Sequence, residues 1–137
     1  MASVERVLET CLSVAELESS TRFYVDLFRF PILFANERLC AFDVGGTSVL
    51  ILFAKGKSVE PAWIDGGMIP PHDASGTSHF AFAIGAGEYE PWRAELQARN
   101  IAIESEVRWE RGGRSLYFRD PDEHLVELAT PGLWRTY

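Results

Sequence analysis

Glu9, His79 and Glu127 are the residues of this 137-residue chain whose types and placement point most directly to chemistry. Glu127 interrupts the apolar run 125–128, and a carboxylate inside an apolar strand is costly unless something pairs with it. His79 opens the alternating stretch SHFAFAI and shares a face with Ala81 and Ala83. Glu9 lies in VLETCLSV, on one face with Cys11 and Ser13, while Leu8, Thr10, Leu12 and Val14 form the other. Imidazole and carboxylate groups exchange protons, so their convergence would make a reactive site. Each residue also has a plain structural reading. His79 could be a hydrogen-bonded strand residue, Glu127 could pair with Arg114 or Arg119, and Glu9 could lie on a solvated edge.

The elements that must position them occur twice. Residues 7–14 read as a strand and 16–28 as a helix, with Ser13 and Glu16 at capping-box spacing and Leu17, Thr21, Tyr24 and Phe28 as its apolar stripe. Pro31 stops the helix. Strands follow at 32–35, 39–44 and 48–53, the last two joined by the hairpin signal Gly45-Gly46. The second half repeats this outline. A strand at 78–84 leads to a helix at 88–99, which buries Tyr89, Trp92 and Leu96, tolerates Pro91 in its first turn and stops at Asn100. Strands are expected at 101–104, 107–109, 115–119 and 125–128, with Asp120-Pro121-Asp122-Glu123 as the final turn. Each unit thus opens with a strand bearing one polar side chain, Glu9 or His79. Each closes with a strand whose middle position, Ile51 or Glu127, can face the same concavity.

Between the units, 55–78 holds three prolines, four glycines and little periodicity, so it reads as a long connecting loop. Loops of that length are usually functional or disordered. Trp63, Ile64, Met68 and Ile69 are too apolar for a freely solvated linker, and part of the loop is expected to pack over a surface. His72 sits in the same loop, where it either approaches the site or is simply exposed. His124 is expected to be a turn residue.

The closing segment, Y-F-x-D-P-D-x-x-L-x-E-L from Tyr117 to Leu128, resembles the last hairpin of the vicinal oxygen chelate superfamily. That group includes glyoxalases, bleomycin-resistance proteins, fosfomycin thiol transferases and extradiol dioxygenases. The resemblance spans about 7–131. It implies an α+β fold, with two βαβββ units forming an open, barrel-like cleft, and a homodimer in which ligands from both chains often meet in one site. It implies metal ligands at Glu9, His79 and Glu127. Glu9 is placed by its distance of fourteen residues from Phe23 of the Phe23-Tyr24 pair. Family members usually carry His or Gln there, and glyoxalase I has a further carboxylate where this chain has Ile51. The three-ligand arrangement of the thiol transferases therefore fits better than a four-ligand glyoxalase. Ser115 and Tyr117 match positions near the substrate of the fosfomycin enzymes, and Cys11, Trp109 and His72 are further candidates for lining the pocket.

One imidazole and two carboxylates suit Mn²⁺, Fe²⁺, Co²⁺, Ni²⁺ or Zn²⁺. Glu9 would be a displaceable ligand and general base, with Glu127 beside it. The expected activity is that of a glyoxalase-like isomerase, lyase or thiol transferase acting on a small molecule, with a thiol such as glutathione as a possible cosubstrate. The rivals are a metal-free drug-binding protein using Trp63, Trp109 and Tyr117, and an extradiol-type dioxygenase.

Composition narrows the partners. A net charge of −7 without a Lys/Arg block argues against nucleic acid and anionic membranes. Cys11 and Cys40 are isolated thiols, which suits a reducing compartment. The segment MASVERVLET has no signal-peptide hydrophobic region, and the cytoplasm is the default expectation. By size, residues 1–137 are expected to be one domain, with a first unit at about 5–54, the loop 55–77 and a second unit at about 78–131.

Overall fold

Strands with a period of two and two amphipathic helices give each half of the chain one apolar face to bury. The computed structural model describes all residues, 1–137. They form two compact units, Met1–Gly76 and Thr77–Tyr137, so the connecting loop belongs to the first unit. The first unit runs β1 (Glu9–Val14), α1 (Leu17–Phe28), β2 (Ile32–Ala35), β3 (Leu39–Val44) and β4 (Ser48–Ala54), followed by a small hairpin of β5 (Ala62–Ile64) and β6 (Gly67–Ile69). The second runs β7 (His79–Ala83), a short 3₁₀ turn (Ala86–Glu88), α2 (Tyr89–Ala98), β8 (Ser105–Arg108), β9 (Arg114–Arg119) and β10 (Leu125–Ala129).

The two sheets share one topology, β1-β4-β3-β2 and β7-β10-β9-β8. In each, the first and last strands of the βαβββ unit pair in parallel and the others are antiparallel. Each sheet is open, with two free edges. The register confirms the internal duplication at the positions of interest. Glu9 lies opposite Val49, and His79 lies opposite Leu125. Ile51 and Glu127, each two residues further along, therefore occupy equivalent places.

Alternation decides which side chains are buried. In the first unit Leu12, Val14, Cys40, Phe42, Leu50 and Leu52 are buried with Tyr24 and Leu27 of α1. In the second, Leu116, Phe118, Val126 and Leu128 are all buried, as is Leu96 of α2. Each such side chain stabilises the fold by roughly 1.5–3 kcal/mol on transfer from water. The opposite strand faces are left for Glu9, Cys11 and Ser13 in one unit, and for His79, Ser115, Tyr117 and Glu127 in the other.

Several local expectations change. The capping box does not form: β1 runs through Ser13, α1 begins at Leu17, and Glu16 is the N-cap without a side-chain cap bond. The buried stripe of α1 is Ser20, Tyr24 and Leu27, while Leu17, Thr21 and Phe28 are half-buried. The helix ends on Arg29 in the left-handed conformation, whose N–H bonds the Val25 carbonyl. Trp92 is only half-buried on α2. No strand forms at 101–104. Asn100 turns left-handed (φ 56°) and the Ile101 N–H closes the end of α2 on the Leu96 carbonyl, so pairing with β9 starts at Ser105 opposite Tyr117.

The loop after β4 is not structureless, because Asp65-Gly66 is a two-residue hairpin turn between Ile64 and Gly67. Trp63 and Ile64 stay exposed, at 77% and 61%, while His72 of the same loop packs against Phe53 of β4. No helix is long and apolar enough to cross a membrane.

Candidate metal centre

Glu127 is a strand residue on the face of β10 away from the apolar core, yet it is only 4% exposed. Its neighbours across the sheet explain how a carboxylate is tolerated there. Ser115 and Tyr117 of β9 reach it from the antiparallel side, and His79 of β7 from the parallel side. The Ser115 hydroxyl donates to Oε1 at 2.6 Å and the Tyr117 hydroxyl to the same oxygen at 3.1 Å. Oε2 faces Nε2 of His79 at 3.2 Å. Ser115 in turn accepts the indole N–H of Trp109 at 2.9 Å. Five residues singled out in the sequence thus form one connected group. The alternative partners for Glu127 are engaged elsewhere, Arg114 with Glu90 and Arg119 with Glu104.

The protonation logic of His79 is informative. Nδ1 lies 3.0 Å from the Leu125 carbonyl oxygen, which can only accept, so Nδ1 carries a proton. A neutral ring then turns the bare lone pair of Nε2 toward a carboxylate oxygen. Two acceptors at 3.2 Å repel unless a cation lies between or beside them. A second proton on the ring would serve, and so would a metal ion. Donors each about 2.1 Å from one ion, at an angle near 90–109°, are separated by about 3.0–3.4 Å, which matches this pair. A ligating His that donates its other N–H to a backbone carbonyl is the usual second-sphere arrangement of a metal site. The donors therefore fit a divalent ion. The His79 side chain is 49% exposed, so the pair is approachable from solvent.

Burial, then the charge of Glu127 and the hydrogen bond to it, push the Tyr117 hydroxyl above its ordinary range. It remains a donor at neutral pH. The His79 and Tyr117 rings lie 6.1 Å apart.

Glu9 and Cys11 belong to the first unit, exposed on β1. Burial, and secondarily the charge of Glu9, push the Cys11 thiol above its usual range, so it stays protonated. Cys11 and His72 line one small pocket of about 40 Å³, together with Ser13, Ser58 and Asp73. The His72 ring meets Phe53 edge-on at 4.6 Å. The chain by itself brings together no group of three His, Cys, Asp or Glu side chains that could hold a metal. His79 and Glu127 are joined; Glu9 is not part of such a group.

Sequence reading missed three features. The Leu125 carbonyl that fixes the His79 tautomer carries no residue-type signal. Ser58 has a buried hydroxyl without a partner on the pocket beside Cys11. His124 is almost fully buried and its Nδ1 accepts the Ser78 N–H at 2.9 Å, so it is a structural residue holding the start of β7 to the turn before β10.

Known proteins resemble this chain in sequence and fold over nearly its whole length. Metallothiol transferase FosB of Staphylococcus saprophyticus is 29% identical over 129 residues, covering 93% of this chain and 78% of that protein. FosB of Lysinibacillus sphaericus is 28% identical over 130 residues, covering 93% and 84%. Among solved structures, a lactoylglutathione lyase from Agrobacterium tumefaciens superposes with a TM-score of 0.88 at 29% identity, covering 98% of this chain and 99% of that one. Residues 6–128 match the Glyoxalase/Bleomycin resistance protein/Dioxygenase superfamily, and with its two βαβββ units the chain belongs to that superfamily.

Proposed function

We propose that this protein is a metal-dependent enzyme of the thiol-transferase or lyase type, acting on a small substrate that presents two neighbouring oxygens. One observation carries the reading: with Nδ1 committed to the Leu125 carbonyl, Nε2 of His79 and Oε2 of Glu127 face each other at 3.2 Å, a spacing suited to a shared divalent ion. The relatives support it, since they are named as a metallothiol transferase and a lactoylglutathione lyase.

In this reading His79 and Glu127 hold the ion, and Glu9 completes the set from a second copy of the chain in a homodimer. Mn²⁺, Fe²⁺, Co²⁺, Ni²⁺ and Zn²⁺ all suit one imidazole and two carboxylates. When bound, the ion supplies Lewis-acid polarisation of adjacent substrate oxygens and stabilises the charge that develops on them. Glu9, the more solvent-accessible carboxylate, takes a proton from substrate or thiol as general base. Tyr117, held as a neutral hydroxyl, donates beside the site, and Ser115, Trp109, Cys11 and His72 complete its surroundings. A low-molecular-weight thiol such as glutathione is the class of cosubstrate expected.

Elemental analysis of protein supplied with each metal is the direct test. About one divalent ion per chain is expected, with loss of that ion in His79→Ala and Glu127→Gln. Failure of the unaltered protein to retain any transition metal would point instead to metal-free binding of a small molecule.

A further inference from the structure

We propose that Trp109 and Ser115 form a one-way hydrogen-bond relay that makes Glu127 a single-oxygen ligand and fixes the direction in which Oε2 points. This inference rests on the metal reading above and assigns roles to two residues that do not themselves reach the ion.

The direction of the relay follows from donor chemistry. An indole N–H can only donate, so Trp109 commits the Ser115 oxygen as an acceptor at 2.9 Å. The Ser115 proton must then point away from the indole, and Oε1 of Glu127 receives it at 2.6 Å. Ser115 is completely buried, so no water competes for that proton. Tyr117 adds a second hydroxyl donor to Oε1 at 3.1 Å. Two donors on one carboxylate oxygen occupy its in-plane lone-pair directions. Oε2 is left as the only oxygen free to ligate, and it is the one aimed at His79.

The backbone supports the relay. Ser115 pairs with Val107 across β8 and β9, and Trp109 begins the turn between them. The Trp109 N–H bonds the Gly113 carbonyl at 2.8 Å and its carbonyl accepts the Gly112 N–H at 2.9 Å, closing that turn. The indole is therefore held by a short, doubly bonded loop rather than by packing alone. A serine free to rotate would also allow Oε1 to swing toward the ion, giving a looser, two-oxygen mode. The relay removes that option.

The test is Zn²⁺ affinity of the full-length protein, read by calorimetry for the unaltered chain, Trp109→Phe, Ser115→Ala and the double variant. Loss of a partner one bond beyond a ligand typically weakens metal binding by about 10–100-fold. Ser115→Ala is expected to fall in that range, Trp109→Phe to weaken binding by about three- to tenfold, and the double variant to match Ser115→Ala alone. A purely structural role for Trp109 would give additive losses. Unchanged affinity in Trp109→Phe, or additivity in the double variant, overturns the relay and leaves the metal reading standing. No Zn²⁺ binding by the unaltered protein overturns the metal reading and the relay with it. Metal-free protein gives an independent readout for variants that bind too weakly. The Trp109 indole N–H resonance should move in Ser115→Ala and stay in place in His79→Ala; the reverse pattern also overturns the relay.

Discussion

Gly113 and Gly132 touch backbone to backbone. A Cβ on Gly113 would lie 2.6 Å from the Gly132 carbonyl carbon, and the Gly113 N–H bonds the Gly132 oxygen at 3.2 Å. Gly132 has φ +105°, a conformation open to glycine and strained for other residues. This contact ties the turn carrying Trp109 to the chain just after β10. Gly113→Ala should therefore displace backbone rather than a flexible side chain, and lower stability by roughly 2–4 kcal/mol. Chemical denaturation measures it, and a loss below about 0.5 kcal/mol, the range of ordinary surface substitutions, would show that the close approach is unimportant.

Glu127→Gln separates folding from ligation. The amide oxygen of Gln can still accept from Ser115 and Tyr117, and its NH₂ can donate to the bare Nε2 of His79. The repulsion between two acceptors becomes a hydrogen bond worth about 0.5–1.5 kcal/mol. The metal-free variant is expected to melt at or above the temperature of the unaltered metal-free protein, while metal affinity falls by a factor of 100 or more on the order-of-magnitude scale of a lost ligand. A clearly lower melting temperature would mean that the pair is already neutralised by a proton on His79.

Much of this was legible in the sequence, and the reasons it stopped where it did are physical. The periodicities of 7–14, 48–53 and 125–128 located the strands that form at 9–14, 48–54 and 125–129, because burial of one face imposes alternation. The repeat then predicted that Glu9 with His79, and Ile51 with Glu127, hold equivalent positions, as the register shows. The strand expected at 101–104 failed because its apolar alternation competed with a helix terminus, where Asn100 and the Ile101 N–H satisfy the last turn of α2. The hairpin at 62–69 hid inside a Pro/Gly-rich stretch whose Asp65-Gly66 turn signal was outweighed by composition. The His79 tautomer rests on a backbone carbonyl, which no residue-type pattern can reveal.

A different titration tests the packing of α2 against the second sheet. Tyr89 is buried under the Arg114 guanidinium, which stacks 3.5 Å from its ring centroid, and its hydroxyl donates to Glu106 at 2.8 Å. Burial first, then the bond to Glu106, push its pKa up to about 12. The folded state thus holds this proton more tightly than the unfolded chain, where tyrosine titrates near about 10. The resulting stability is fully present below about pH 10 and is lost as pH rises toward about 12. The Glu106 carboxyl is held below its usual range chiefly by the same hydroxyl, so its contribution is lost in the opposite direction, on acidification. Urea denaturation should show the alkaline decline, and Tyr89→Phe should flatten it. An identical alkaline slope in the variant would assign the decline to other groups.

Mixing two inactive chains decides where Glu9 acts. His79 and Glu127 sit together in the second unit, whereas Glu9 belongs to the first and joins no metal-holding trio within the chain. If a partner supplies Glu9, a dimer of one Glu9→Gln chain and one Glu127→Gln chain contains one complete site and one doubly damaged site. Random reassortment of equal amounts makes half of the dimers mixed, so about a quarter of all sites should regain activity. Neither variant alone should be active, although Glu9→Gln, which removes a displaceable ligand, should keep more metal than Glu127→Gln. If a single chain supplied all three ligands, every site in the mixture would carry one lesion and nothing would be restored. Recovery of about a quarter requires a dimer that exchanges subunits, which partial unfolding and refolding of the mixture ensures. A mixture that stays as inactive as its components after refolding would rule out the shared site and return Glu9 to a role on its own strand edge.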